Sequence, residues 1–480
     1  MPRLGLGSPP PRERPLALLV VRNTFRRDAR VLRAARTLRG LGLDVAVLAA
    51  LSQTERERHG EEGGVPVTRL GPSSRFAVWL YSRVVARDRP RHDRESATAE
   101  GVAPRAPGEA ATGTAGGVVG DAAGAAVALR PRATPAPAAR RLAARLARWA
   151  ATIDWYRRGI AAVTARRPDL VQCNDYNTMW IGVAARVLCG SAVIYDSHEL
   201  WPDRNLRPEP RWWLILCEAL FVRVADALVM SSPGHADVVA RRYRVAAPTV
   251  VRNIPELTAS DDAIPAPPAP PHPGGDRVAV YVGGLQPNRG LEQSIRALTR
   301  VERVRLRLIG PPLPIAYAEE LEALVDSLGL RERVDFSGMV APDRVVAELA
   351  GADAGLCLFQ PTSLSHRLVL PNKLFEYAAA GVPVLGSDLP MVTGFVDRYE
   401  CGVTVNSSDP AAIAGGLEEV LDHDAGERYR AGARRAAADA RWDRERELLA
   451  GVYRAALARR GVPASASSPR SRGFSSSARP

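Results

Sequence analysis

The chain of 480 residues has almost no lysine. Of its 65 basic residues one, Lys373, is lysine, and the rest are arginine. Cysteine is also scarce. Cys173, Cys189, Cys217, Cys357 and Cys401 are scattered, odd in number and without a C-x-x-C pair. That excludes a disulfide framework and a zinc ribbon, and fits a reducing compartment. Long apolar runs are missing. The first, Leu16 to Val21, is too short for a secretory leader and has no cleavage-site pattern after it. The longest candidate, Trp212 to Met230, is interrupted by Glu218, Arg223 and Asp226. It reads as a buried or amphipathic helix, not a membrane span. Acid is in deficit: 52 Asp and Glu leave a formal charge of +13. No aromatic-basic pattern accompanies the excess, so nucleic acid is not expected as a partner. An anionic membrane surface or a phosphate-bearing substrate needs the same charge and less machinery. The expectation is a cytoplasmic protein able to lie at the inner face of the cell membrane.

What is present is a globular core, with 46% hydrophobic residues, and an alternation of short apolar runs with helical patterns. Strands are expected at 16–21, 43–49, 169–173, 192–196, 227–230, 278–282, 304–309, 333–336, 355–359 and 382–385. Near-continuous apolar strands between helices imply parallel sheets covered on both faces. Three stretches have too few large apolar groups to offset their ordering entropy. They are 88–138, the Pro-rich 255–276 and the Ser/Arg/Pro-rich end of the chain. The reading is two doubly wound α/β domains facing each other. The first, 14–254, carries a disordered insertion at 88–138. A connector, 255–276, leads to the second domain, 277–440. A helix over 441–460 is expected to pack back on the first domain, and 461–480 to be a disordered tail.

In open α/β sheets ligands bind beyond the carboxyl ends of the strands, and polar residues collect there. "YVGGLQPNRGLE", 281–292, runs from a strand through Gly283 and Gly284 into a helix. Such a loop lets backbone N–H groups approach a phosphate, with Arg289 adding charge. By itself a Gly-Gly pair is ordinary turn chemistry. "LPNKLFEYAAAG", 370–381, places Lys373 and Glu376 on one helix face. The plain reading is a surface ion pair worth about 0.2–0.5 kcal/mol. The alternative follows from the rarity of lysine. An ammonium is a compact point charge on a flexible stem, whereas guanidinium is a wide planar fork. A tight seat for phosphate oxygens would accept the first and exclude the second. His198 in "YDSHELWPD" follows a buried strand, and Asp175 in "QCNDYN" stands in the equivalent place one strand earlier. Their plain readings are a packed strand-end histidine and a helix N-cap. In "ARRLAARLARWAATIDWYRRGIAAV", 139–163, Leu142, Leu146, Trp149, Ile153, Tyr156, Ile160 and Val163 form one stripe. Core packing is expected for it, with membrane-surface contact as the alternative.

These segments resemble the large retaining glycosyltransferase family known as family 4, or group 1, with the GT-B fold. "YVGGLQPNRGLE" looks like its donor-phosphate loop, "LPNKLFEYAAAGVPVL" like its donor-site helix and "VIYDSHEL" like its acceptor-domain histidine segment. "VRNTFRRDARVLRAARTLRGLGLDVAVLA" resembles its first strand–helix–strand, and "RWDRERELLAGVYRAAL" its carboxyl-terminal helix. The resemblance implies two Rossmann-like domains across a cleft. A nucleotide-diphosphate sugar would be held by the second domain through Gly283, Gly284, Arg289, Asn372, Lys373, Leu374 and Glu376, with Glu376 on the ribose. His198 and Asp175 would stand at the reaction centre, a neutral His198 imidazole bonding the donor sugar or orienting the acceptor hydroxyl. The acceptor would be a glycan or a lipid-linked molecule of the cell surface, and no metal or other cofactor is implied. Two positions depart from the family pattern. Gly284 stands where many members have arginine, and Leu368 where many have glutamate; Ser365 or His366 are the candidate substitutes for the second. A non-catalytic partner subunit and a sugar-nucleotide epimerase of the same fold stay open as alternatives. A pyridoxal-phosphate phosphorylase does not fit, because no second lysine is available for its Schiff base.

Overall fold

A computed structural model describes residues 12–26, 28–51, 57–71, 138–205, 207, 209–256 and 275–463. The 88–138 insertion lies, but for Ala138, outside the described residues, as do 257–274 of the connector and 464–480 of the tail. The chain divides into a main unit, Met1–Gly71 with Tyr156–Pro480, and a smaller one, Pro72–Trp155. The described part of the smaller unit is the first stretch of a helix, Ala138–Arg166.

The main unit holds two sheets. The strands of the first are β1 (Leu16–Val20), β2 (Asp44–Ala50), β3 (His59–Glu62), β4 (Val65–Leu70), β5 (Leu170–Asn174), β6 (Ala192–Ser197), β7 (Ala227–Met230) and β8 (Thr249–Val250), in the order β3-β4-β2-β1-β5-β6-β7-β8. The second is built from β9 (Arg277–Val282), β10 (Val304–Ile309), β11 (Val334–Gly338), β12 (Ala354–Cys357), β13 (Val384–Ser387) and β14 (Gly402–Val405), in the order β11-β10-β9-β12-β13-β14. All pairings are parallel except β3 with β4. That hairpin corrects the all-parallel expectation. Gly63 and Gly64, at φ 55° and 80°, form the two-residue, positive-φ turn that joins antiparallel strands without splaying them.

Each sheet has its own core. Ala17, Leu19, Leu170, Ile194 and Val229 lie under the first, and Ala279, Leu306, Leu308, Leu356 and Leu385 under the second. The helix Trp442–Ala458, last in the chain, contributes Trp442, Leu449, Tyr453 and Leu457 to the core of the first sheet. Burial in the helix Ala29–Gly40 departs from the apolar pattern. Asp28 caps it by accepting a hydrogen bond from the Val31 N–H, and Arg30 and Arg33 are buried along with Val31, Ala34 and Leu38.

The stripe expected on Ala138–Arg166 is corrected in part. Leu146, Trp149 and Ile153 are exposed, whereas Tyr156 and Ile160 are half-buried and Val163 is buried. Trp155 and Gly159 are buried one position ahead of the stripe residues Tyr156 and Ile160, and the two rows meet at the buried Val163. Among the described residues no helix is long and apolar enough to cross a membrane.

In the second sheet the strand order reverses direction between β9 and β12, which is where an open α/β sheet forms its crevice. Gly283 follows β9 and Phe359 lies just past β12. Asp175 and His198 occupy the matching ends of β5 and β6 in the first sheet.

Candidate active site

The helix Asn372–Ala379 starts after Pro371, which sits at its N-cap. Its buried side, Leu374, Phe375, Tyr377 and Ala378, faces the sheet. The Tyr377 hydroxyl donates to the Leu356 carbonyl at 3.0 Å, which ties the helix to β12. Lys373 is thereby carried into the crevice. It is 8% exposed, and its Nζ lies 4.4 Å from the centre of the Tyr281 ring and 4.9 Å from that of Phe359. Gly283 has φ 125°, and a Cβ there would stand 3.6 Å from Lys373 Nζ. Arg289 comes to the same ring from the loop after β9, its Cζ 4.0 Å from the centre of Phe359. Two cations thus share one aromatic ring. Among the described residues neither forms an ion pair with a carboxylate, and Arg289 Nη1 is buried without a hydrogen-bond partner. The surface ion pair of Lys373 with Glu376 is therefore not formed. Glu376 is half-buried. Burial raises its pKa, against the pull of Lys373 and of Arg33 from the first half. Asn372 is exposed at the start of the helix, and Leu374 is wholly buried, so Leu374 packs the helix in place.

The facing half presents an ionic chain. Asp196, on β6, accepts from Arg30 Nη2 at 2.7 Å and Nε at 3.1 Å, and from Gln172 Nε2 at 3.2 Å. Arg30 also donates to the Val251 carbonyl at 2.9 Å. Tyr453, from the last helix, donates to Gln172 Oε1. Burial disfavours the charge on Asp196, but Arg30 and His198 hold its carboxyl well below the usual range. The backbone N–H of His198 donates to Asp175 Oδ1 at 2.9 Å. The His198 ring lies between two carboxylates, Nδ1 at 3.5 Å from Asp175 Oδ2 and Nε2 at 3.7 Å from Asp196 Oδ2. Burial works against a proton on this ring. The two carboxylates outweigh it and push the pKa up to about 9. The two carboxylates thus favour the protonated ring over the neutral one expected, and Nε2 makes no hydrogen bond. Asp175 stands at the N-cap of the short turn Tyr176–Thr178, but its side chain makes no capping bond. It sits at φ 66° and ψ 163°, a conformation costly for a residue with a side chain and held here by the structure around it.

The segment that departs from the family pattern joins the two halves. Leu368 places its carbonyl on the Ser232 hydroxyl at 2.6 Å and its side chain against Gly234. Ser365, 3% exposed, accepts from the Leu200 N–H at 3.3 Å, and its carbonyl is 2.9 Å from His235 Nε2. Ser365 is thus committed to the facing half. His366 lies edge-on to Phe359. Burial first, and Arg289 second, push its pKa down to about 4, so it is a neutral group beside the two cations. At Gly284 a Cβ would meet Gln286 Nε2 at 2.9 Å and Leu313 Cδ1 at 3.0 Å, both ends of flexible side chains. Arg30, Asp196, Gln172, Tyr453 and Phe359 were not singled out in the sequence. All but Phe359 stood within quoted segments, Arg30 in the first strand–helix–strand, Gln172 in "QCNDYN", Asp196 in "VIYDSHEL" and Tyr453 in the last helix, but nothing local marks them. Among the described residues no cluster of His, Cys, Asp and Glu has the form of a metal site.

Two family models match the chain, Glycosyltransferase Family 4 over residues 101–254 and Glycosyl transferases group 1 over residues 265–438. The D-inositol 3-phosphate glycosyltransferase of Acidothermus cellulolyticus is 28% identical over 317 residues, 62% of this chain and 69% of that protein. The glycogen synthase of Mycobacterium tuberculosis is 29% identical over 313 residues, 60% of this chain and 69% of the relative. Among solved structures, sucrose-phosphate synthase from Thermosynechococcus elongatus superposes with a TM-score of 0.65 at 15% identity, covering 93% of this chain and 100% of that one. HepE of Anabaena, in complex with UDP-glucose, gives 0.60 at 13% identity, covering 92% and 99%. At these identities the structural likeness shows the fold alone.

Proposed function

The chain belongs to the group 1, or family 4, glycosyltransferases of the GT-B fold, and on that premise we propose a specific reaction. It moves a sugar from a nucleotide-diphosphate donor to an acceptor hydroxyl, with retention of anomeric configuration, in the synthesis of a cell-surface glycan or glycolipid. The observation that carries this reading is the pair of cations on Phe359, Arg289 and Lys373, which have no carboxylate partner among the described residues. Two positive charges brought together in a partly dry crevice repel each other unless an anion joins them. A diphosphate is such an anion. As the sugar departs, negative charge grows on the diphosphate, and fixed cations stabilise that charge more than the ground state. The backbone at Gly283 borders the same space. Glu376 accepts hydrogen bonds from the ribose.

His198 supplies the opposite wall. Protonated between Asp175 and Asp196, it is a donor and not a general base at neutral pH. It orients the transferred sugar through an N–H. Asp175 and Asp196 position the ring, and Arg30 and Gln172 position Asp196.

Nucleotide sugars incubated with purified protein and candidate acceptors, followed by proton NMR of the product, test the reaction. The product is expected to keep the donor's anomeric configuration. Inversion would refute retention. A donor returned intact with one altered stereocentre would mean an epimerase, and donor binding without turnover of any sugar would mean a non-catalytic partner subunit. His198→Ala is expected to cut turnover while leaving nucleotide-diphosphate affinity within a few fold.

A further inference from the structure

The helix Arg211–Val224 turns its acid inward and its apolar side chains outward. Glu218, its one acidic residue, is 1% exposed and accepts from the Tyr195 hydroxyl at 2.9 Å and the Tyr243 hydroxyl at 2.6 Å. The outer face carries Trp212, 67% exposed, Trp213 at 38%, Leu216 at 58% and Leu220 at 43%. These positions share one side of a helix about 21 Å long. Single exposed leucines are ordinary on a protein surface, but four adjoining large apolar side chains, two of them tryptophan, mark a surface that is covered in use.

Charge identifies what covers it. Exposed Arg211 opens the helix and exposed Arg223 comes near its end, with no carboxylate on the outer face between them. Beyond Arg211 lies a pocket of about 470 Å³ lined by Arg204 and Arg207 together with Asp203 and Glu209, three arginines against two carboxylates. The Asp203 carboxylate there is already held by Arg211 at 2.8 Å and Arg242 at 2.5 Å. A second copy of the chain meeting this face in antiparallel fashion would set Arg211 against the other copy's arginine at the far end. The face asks for an anionic, apolar surface with room for indole rings at its boundary. Lipid bilayers with acidic headgroups have that chemistry.

We propose that the face of Arg211–Val224 seats the protein on an anionic bilayer. The helix lies in the plane of the interface, with Trp212, Trp213, Leu216 and Leu220 among the acyl chains. Arg211 and Arg223 lie on lipid phosphates. The inference stands apart from sugar transfer, since it rests on a surface and not on the crevice.

The test is co-sedimentation of the full chain with vesicles of phosphatidylcholine alone and of phosphatidylcholine with one quarter phosphatidylglycerol. Binding to the acidic vesicles, weakened by added salt, is expected, with little binding to the neutral ones. Trp212→Ser combined with Leu216→Ser alters exposed positions only and should melt as the parent does. It is expected to lower partitioning about tenfold or more. Leu220→Ser, on the same face, serves if the double variant does not fold. Absence of binding to acidic vesicles, or equal binding by parent and folded variant, would overturn the proposal. So would sedimentation velocity showing a dimer that the same substitutions dissolve.

Discussion

Asp196→Asn removes one charge from the buried chain behind the site with almost no change of shape. The carboxylate it replaces takes two hydrogen bonds from Arg30 and one from Gln172, and Arg30 is 8% exposed. Removing one partner of a buried ion pair costs about 3–5 kcal/mol, because the remaining charge stays desolvated. Here the amide oxygen can still accept one bond, and Arg30 keeps its bond to the Val251 carbonyl. The expected loss is therefore near the lower end, about 3 kcal/mol. The substitution also removes one of the two carboxylates that hold the proton on His198, so the His198 pKa should fall from about 9 toward its ordinary value. Urea unfolding at neutral pH reads the first effect, and an NMR titration of the histidine ring reads the second. A loss under about 1 kcal/mol together with an unmoved His198 titration would refute the reasoning, since that loss is no more than a neutral hydrogen bond contributes.

The wild-type protein carries its own pH signature. The folded pKa of His198 is raised, from 6.5 to about 9, so its stabilising contribution is complete below 6.5 and is lost as pH rises through 9. The full shift corresponds to about 3 kcal/mol, and less in practice because water reaches 28% of the side chain. Unfolding free energies between pH 6 and pH 10 should decline over that window, and His198→Gln should flatten the decline. Tyr453→Phe leaves the buried Gln172 oxygen without its donor and should cost about 1–2 kcal/mol in urea unfolding. Gly283→Ala meets φ 125° and places a methyl 3.6 Å from Lys373 Nζ. Backbone strain of about 1–3 kcal/mol is expected, with a loss of nucleotide affinity by calorimetry that a distant destabilising change of equal size does not produce.

The legible parts of this molecule were those written in local patterns. β1, β6 and β9 are apolar runs between helices and could be placed from the sequence. Lys373 stood out through its rarity, and the structure buries it beside the Tyr281 and Phe359 rings. Short strands were lost where alternation with polar residues hides them. "HGEE" and "VPVTRL" offered only Gly63 and Gly64 as a hairpin signal. The second half of the site was lost for a different reason. In a chain whose surface is coated with arginine, nothing local separates a solvated Arg36 from a buried Arg30 on the same helix. Arg30 owes its place to Asp196, 166 positions away, and Gln172 owes its orientation to Tyr453, 281 positions away. Such partners meet only once the sheet has formed. The surroundings of His198 were hidden in part for the same reason: Asp196 is its near neighbour in sequence, but Asp175, 23 positions away, reaches it only once β5 and β6 pair.

The claim at the centre is that Lys373 and Arg289 hold the donor diphosphate, and that a compact ammonium is needed at 373. Isothermal calorimetry with UDP and GDP on the parent, Lys373→Ala and Lys373→Arg tests it most directly. A charge-assisted hydrogen bond contributes about 1.5–3 kcal/mol, or roughly tenfold to a hundredfold in affinity. The parent is expected to bind one of the two nucleotides and both variants to lose about tenfold or more, because a planar guanidinium is wider than the ammonium it would replace beside Tyr281, Phe359 and Gly283. With folding intact, parent-like affinity in Lys373→Arg would contradict the need for an ammonium, and parent-like affinity in both variants would contradict the diphosphate role itself.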